Sequence, residues 1–345
     1  MDATLTLFGL TVHAYGLCAA AAALVLLALM GVLGYRNRLP AGTVRVFGLL
    51  GIPLGLVCAR AVYCAINWST FVETYENPWL MLRFFDGGLS MTGLLCGLVL
   101  AALITARVMK LRFGQVLDVL CVPLGLFIAI LRMAERFTDL GVGKVVQESA
   151  ITASMPWLFL RTQAGVNTEY RLAVYGYEAV MGVLLFAVML AVLYSVRKHK
   201  RARSGDMALI FFALYGATQT LLESMRDDNH LLLFTFVRFA QFAAAMMPMI
   251  AAGIFSRRYL HIAGKGGVRL WATWAVLLCC VAGLVFLEFS LDGRIPWGNP
   301  TLLCDDYALM AALCVTMLLM PCSLYVTLSK RLYREERFSV HVSQG

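Results

Sequence analysis

Charged side chains fall where this 345-residue chain is otherwise oily. His13, Arg60, Asp118, Arg132, Glu135, Glu178, Glu223, Arg226 and Arg238 lie in or at the ends of long apolar stretches. A charge in hydrocarbon costs at least about 2.5 kcal/mol, so such residues are candidates for function. Guanidinium groups offer paired donors to a phosphate and stay charged when desolvated. Arg60, Arg132 and Arg226, on three different stretches, could therefore converge on one anionic headgroup. The acidic neighbours allow a second reading, in which Glu135, Glu178 and Glu223 match the arginines and hold the bundle together. Glu223 and Arg226, in ESMRDD, are three residues apart and share a helical face. His13 and Tyr15, in HAYG, would stand about 200° apart on a helix, and Tyr15 also suits an interfacial anchor.

A further polar stretch, RFFDGGLSMTGLLCG (83–97), opens an apolar span. Asp86 is placed to cap the helix and the paired glycines allow a tight entry. Gly93 and Gly97 form a small-xxx-small pair, the pattern of a close helix contact. Gly87, Gly88, Ser90 and Thr92 sit at the helix start, where free backbone N–H groups suit an anion.

The elements that must position these residues are membrane helices. Hydrophobic residues make up 61% of the chain and charged residues 14%, against roughly 25% charged in a soluble domain, and the mean hydropathy is +0.78. Apolar windows recur near 8–33, 46–66, 89–106, 115–131, 173–196, 207–222, 232–255, 270–290 and 307–329, each matched to about 30 Å of hydrocarbon. Asp118 and Pro123 interrupt the fourth. Basic loops (YRNRLPAGTVR, ARVMKLR, RKHKRARSGD, SRRYLHIAGKGGVR) and the tail SKRLYREER alternate with acidic or mixed ones, which predicts the N-terminus outside and the C-terminus in the cytoplasm. The net charge of +9 belongs to these loops and reads as topology, not nucleic-acid binding. MDATLTLFGL lacks the basic n-region of a secretory signal. Ten cysteines, mostly within spans, form neither a CxxC pair nor a zinc spacing. The stretch 133–172 is less apolar, and MPWLFL (155–160) within it reads as an interfacial or re-entrant piece with Trp157 at headgroup depth. After about residue 260 intramembrane charge almost vanishes. The expected organisation is a seven-span core (1–260) and a two-span extension with a basic tail (261–345).

NPWLMLRFFDGGLSMTGLLCG, followed by FGQVLDVLCVPLGLFIAILRMAERF, resembles the prolipoprotein diacylglyceryl transferase family of bacterial inner-membrane enzymes. HAYG, CARAVY, YGYEAV and LYGATQTLLESMR follow in the family's order, across roughly residues 8–255. The resemblance implies a multi-pass enzyme of the bacterial cytoplasmic membrane that moves diacylglycerol from phosphatidylglycerol to the lipobox cysteine of a prolipoprotein, forming a thioether and releasing glycerol 1-phosphate. It implies site positions at Tyr15, Arg132, Tyr215, Glu223 and Arg226, with Arg60 and Asp118 at other recurrent positions. No metal or organic cofactor is implied. The chain departs from the family pattern at Thr92, where a histidine is usual, at Gln219, where an arginine is usual, and at Ala134-Glu135, where the pattern has Gly-Asn.

The expectation is thus a divergent transferase. Arg132, Glu135 and Glu223 would do the chemistry, with one of the two glutamates accepting the thiol proton. Tyr15, Arg60, Gly88, Ser90, Thr92, Tyr215 and Arg226 would hold the lipid, and Arg136 would make good the missing charge. Thr92 and Gln219 favour the alternative, a relative that binds lipid or lipoprotein without catalysis. A small transporter is a third reading, which Asp118 alone supports.

Overall fold

A backbone in hydrocarbon has no water to bind, so an apolar stretch long enough to cross a bilayer must satisfy its N–H and C=O groups internally, as a helix. The long windows of this chain do so. A computed structural model describes residues 4–7, 10–74, 77–83, 87–138, 140–146, 148, 154–155, 157–164, 167–199, 203–228, 231–233, 237–264, 266–294 and 303–342. Among them, nine helices are long and apolar enough to cross a membrane: α1 (Ala14–Arg36), α2 (Gly42–Ile66), α3 (Met91–Val108), α4 (Phe113–Ala134), α5 (Val174–His199), α6 (Asp206–Ser224), α7 (Phe239–Ala263), α8 (Val268–Leu291) and α9 (Leu303–Val342). The chain is a polytopic membrane protein whose long elements are all helical.

Three details differ from the sequence expectation, and in each a short strand pairing takes residues that the apolar average gives to a span or an interfacial piece. The first helix begins at Ala14, because Thr4–Leu7 (β1) and Leu10–His13 (β2) alternate polar and apolar residues and pair as a hairpin with Thr4 opposite His13. His13 therefore ends a strand and is exposed, and the helical angle between it and Tyr15 does not apply. MPWLFL ends in a strand. Its last two residues open β4 (Phe159–Ala164), which pairs with β5 (Asn167–Ala173) from Phe159↔Leu172 to Ala164↔Asn167, and β3 (Val142–Val146) completes a sheet of order β3-β5-β4. The seventh helix begins at Phe239, since Leu232–Leu233 (β6) and Val237–Arg238 (β7) form a short antiparallel pair.

The chain divides into two compact units, Met1–Ala187 with Met225–Ala240, and Val188–Ser224 with Gln241–Gly345. In the first, α2 packs on α3 and α1 on α4. Gly93 and Gly97 are buried on α3, and a Cβ at either would collide with α2 backbone, at Cys58 and Ala59 or at Leu54 and Gly55. The small-xxx-small expectation holds. The α4 helix runs unbroken through Pro123 and is the core of this unit, with 15 of its 22 residues buried. It crosses α5 at a pair of glycines: a Cβ on Gly125 would lie 2.8 Å from the Gly182 carbonyl, and one on Gly182 2.7 Å from the Gly125 carbonyl. Arg132 follows Gly125 by two turns and Glu178 precedes Gly182 by one. The crossing brings them to the same end of the contact.

In the second unit α9 packs against α8 and α6, and Gly216 on α6 is sized by the Ala244 carbonyl and Pro248 of α7. Asp206, at the first turn of α6, accepts from the Arg203 amide at 2.7 Å and pairs with Arg258.

Candidate active site

Six buried charges of the first unit assemble into one network. At the end of α4, the Arg132 Nη1 donates to Glu135 Oε1 at 2.6 Å, and Nη2 lies 3.3 Å from Glu178 Oε1 on α5. Arg226 binds the second oxygen of each acid, with Nη1 3.2 Å from Glu178 Oε2 and Nη2 3.4 Å from Glu135 Oε2. Two guanidinium groups and two carboxylates thus close an alternating ring. Asp228 extends it, accepting from Arg226 Nη2 at 2.7 Å and from Arg238 Nη1 at 2.6 Å. Arg238 Nη2 also donates to the Arg226 carbonyl at 3.0 Å. The side chains of these residues are all less than a tenth exposed. Three cations face three anions there. Removing one member of a buried set like this costs about 3–5 kcal/mol, because the group left behind is an uncompensated charge.

Backbone pairing puts Arg226 in place. Residues 225–227 lie along β3: the Lys144 amide donates to the Met225 carbonyl at 3.2 Å, the Asp227 amide to the Val142 carbonyl at 2.9 Å, and Gly143 bridges Arg226. Gly143 must lack a side chain, since a Cβ would lie 2.8 Å from the Met225 carbonyl. Gly141 is in the left-handed region (φ +75°), its amide donates to Asp228 Oδ2 at 2.9 Å, and a Cβ would lie 2.7 Å from Glu135 Oε2. Outside this knot, Arg171 of β5 reaches Asp227 at 2.9 Å. Burial alone would raise the Asp228 carboxyl, but Arg226 and Arg238, with the Gly141 amide, outweigh it and hold the pKa down to about 2.

Arg60 stands apart from the ring. Its guanidinium is taken up by carbonyls: Nε to Met81 at 2.9 Å, Nη2 to Leu80 at 2.9 Å, and Nη1 to Gly87 at 2.6 Å and Gly88 at 3.2 Å. It also lies 5.5 Å from the Tyr63 ring centroid and 5.6 Å from that of Phe71. The three arginines expected to converge are therefore two in the ring and one that gathers the loop leading to α3. Gly88 has φ +68° and no room for a Cβ against the Tyr63 ring and Arg60 Nη1. Ser90 caps α3, accepting from the Gly93 amide at 3.3 Å, while its own amide donates to the Ala59 carbonyl at 3.1 Å. The cap assigned to Asp86 lies outside the described residues. Thr92 is half-buried in the first turn of α3 and Arg136 is exposed. Tyr15 is half-buried at the start of α1, within electrostatic reach of Glu135 and Arg132.

In the second unit, Glu223 and Tyr215 are buried on α6. Glu223 Oε1 accepts from Gln219 Nε2 at 3.0 Å, and Tyr215 stacks on Phe211 with centroids 6.0 Å apart.

A family model described as prolipoprotein diacylglyceryl transferase matches residues 3–257. The chain belongs to the prolipoprotein diacylglyceryl transferase family. Among its relatives, a Bacillus licheniformis protein named phosphatidylglycerol–prolipoprotein diacylglyceryl transferase is 27% identical over 249 residues, which is 72% of this chain and 89% of the relative. Proteins of the same name from Lactiplantibacillus plantarum and a Nostoc species are 25% and 24% identical over 250 and 259 residues, covering 86% and 87% of those chains.

Within this prolipoprotein diacylglyceryl transferase family member, Asp228, Arg238, Gly141 and Gly143 complete the network and were not singled out as site residues from the sequence. Arg238 stood out as an intramembrane charge and Asp228 within ESMRDD, but neither had a visible partner. The spaced glycines, nine and eleven residues after Arg132, were the one local signal. The match ends before α8 and α9 begin.

Proposed function

We propose that this chain transfers the diacylglyceryl group of phosphatidylglycerol to the lipobox cysteine thiol of a prolipoprotein, in the cytoplasmic membrane of a bacterium. Membership of the family and the names of its relatives support the reaction. The observation that carries the mechanism is Glu135, a buried carboxylate shared by two arginines.

The chemistry requires charge to move. The thiol sulfur bonds to the glyceryl carbon, that carbon's bond to the phosphate oxygen breaks, and glycerol 1-phosphate leaves with one negative charge more than the diester carried. Something must take the thiol proton. If Glu135 takes it, Arg132 and Arg226 lose one carboxylate partner as the leaving phosphate gains charge. The two guanidinium groups are then free to stabilise that phosphate. In this reading Glu135 takes the place of the histidine replaced by Thr92, and its proton uptake releases both arginines to the phosphate. Gln219 supplies Glu223 with a neutral donor where the family pattern has a cation, and Glu223 is assigned the second proton-handling role. Tyr15 and Tyr215 orient the donor lipid. Gly88, Ser90 and Thr92 line its headgroup, and Arg60 serves that loop by holding its carbonyls.

The charge pattern of the loops supports an outward N-terminus, a cytoplasmic C-terminus, seven spans in residues 1–260 and two more in 261–345. The partners would be an anionic phospholipid and a signal peptide bearing the lipobox.

Purified protein given phosphatidylglycerol and a lipobox peptide should add a diacylglyceryl mass to the cysteine and release glycerol phosphate. The Arg132→Ala variant should lose about 10²–10³-fold in rate. Lipid binding without thioether, beside a standard relative that turns over, would rule the reaction out and leave a lipid-binding relative.

A further inference from the structure

The family match stops at residue 257, yet the helices beyond it reach the part of α6 that carries Glu223. Ser224 ends α6, where the helical ladder no longer supplies amides to the last carbonyls. Tyr307 on α9 fills that role, its hydroxyl donating to the Ser224 carbonyl at 3.2 Å. One turn back, the Thr220 carbonyl accepts from Gln241 Nε2 at 3.4 Å. The same amide donates to Glu288 Oε1 on α8. Gln241 and Ser224 are buried. The turn from Thr220 to Ser224, with Glu223 in it, is therefore tethered to residues 288 and 307, both beyond the residues that the family model matches.

We propose that Tyr307 and Glu288 are positioning residues for Glu223, and that the C-terminal helix pair is a working part of this transferase. The inference rests on the assignment of Glu223 above. The reason is physical. Gln219, a neutral amide, holds Glu223 at one point, and a helix end with an orphan carbonyl frays unless a side chain satisfies it. Tyr307 and the Glu288–Gln241 pair supply that satisfaction where Glu223 must keep one geometry.

The test compares Tyr307→Phe, which removes only a hydroxyl, with Glu288→Leu and Glu288→Gln. The first two should lower kcat about tenfold (about 1.4 kcal/mol of barrier) at unchanged KM for phosphatidylglycerol. Glu288→Gln keeps an acceptor for Gln241 and should recover most of the rate, which a packing role alone would not predict. Combined with Glu223→Asp, Tyr307→Phe should cost less than the sum of the two single losses. Parental kcat in Tyr307→Phe and Glu288→Leu, or strict additivity with Glu223→Asp, would overturn the proposal while leaving the transferase reading intact. Should the parent itself fail to transfer, amide exchange of residues 219–224 in nanodiscs decides. Faster exchange in Tyr307→Phe and Glu288→Leu supports the tether, and parental protection overturns it.

Discussion

Glu135 accepts from Arg132 through one oxygen and from Arg226 through the other, so replacing it separates charge from shape. Glu135→Gln keeps the size and one acceptor but cannot take a proton, and transfer should fall about 10²–10⁴-fold. Glu178→Gln removes the same charge from the ring without removing the proposed base, so single-turnover peptide assays should show a smaller loss. Asp228 makes a second prediction, of stability. Its carboxyl is held at about 2 in the folded chain, below the usual value near 4 of an unfolded aspartate. A depressed carboxyl stabilises fully above the unfolded value, and the contribution, about 2 kcal/mol, is lost as pH falls through the folded one. Thermal unfolding in detergent between pH 5 and 2 should show this slope, and Asp228→Asn should lack it. At this scale the sequence showed which charges were out of place, but not their partners. Arg226 meets Glu178 across 48 positions and Glu135 across 91, a pairing that no local pattern encodes.

The elements set those distances. The α4–α5 crossing at Gly125 and Gly182 has no space for a methyl group, so Gly182→Val should force the helices apart and strain the Arg132–Glu178 contact. A loss of about 1–3 kcal/mol of stability is expected from the overpacking alone, with transfer reduced beyond it. Thermal stability and rate measured together would separate the two. Helix positions were legible, because hydropathy over about twenty residues is a strong signal: the window at 173–196 became Val174–His199 and that at 270–290 became Val268–Leu291. The strands were not. TLTL, LTVH and FLRTQA are too short to stand out beside membrane spans, and their identity comes from pairing. Gly93 and Gly97 were read correctly because a small-xxx-small pair states its packing locally. The four carbonyl acceptors of Arg60 lie 20 to 28 residues ahead, beyond the reach of any local pattern.

For the whole molecule, the proposed orientation places Trp157 outside and Arg203 in the cytoplasm, both exposed. In a background without its other cysteines, Trp157→Cys should react with an impermeant maleimide in intact cells and Arg203→Cys only after lysis. The reverse pattern would invert the topology. On the proposed mechanism this chain carries out diacylglyceryl transfer with the Glu135 carboxylate as the base. The most direct measurement is complementation of a bacterium depleted of its own diacylglyceryl transferase, scored by the mass of a lipoprotein. The expected result is a lipoprotein bearing the diacylglyceryl mass, lost on Arg132→Ala and on Glu135→Gln. A well-expressed chain that leaves the lipoprotein unmodified, or one whose activity survives Glu135→Gln unchanged, would contradict it.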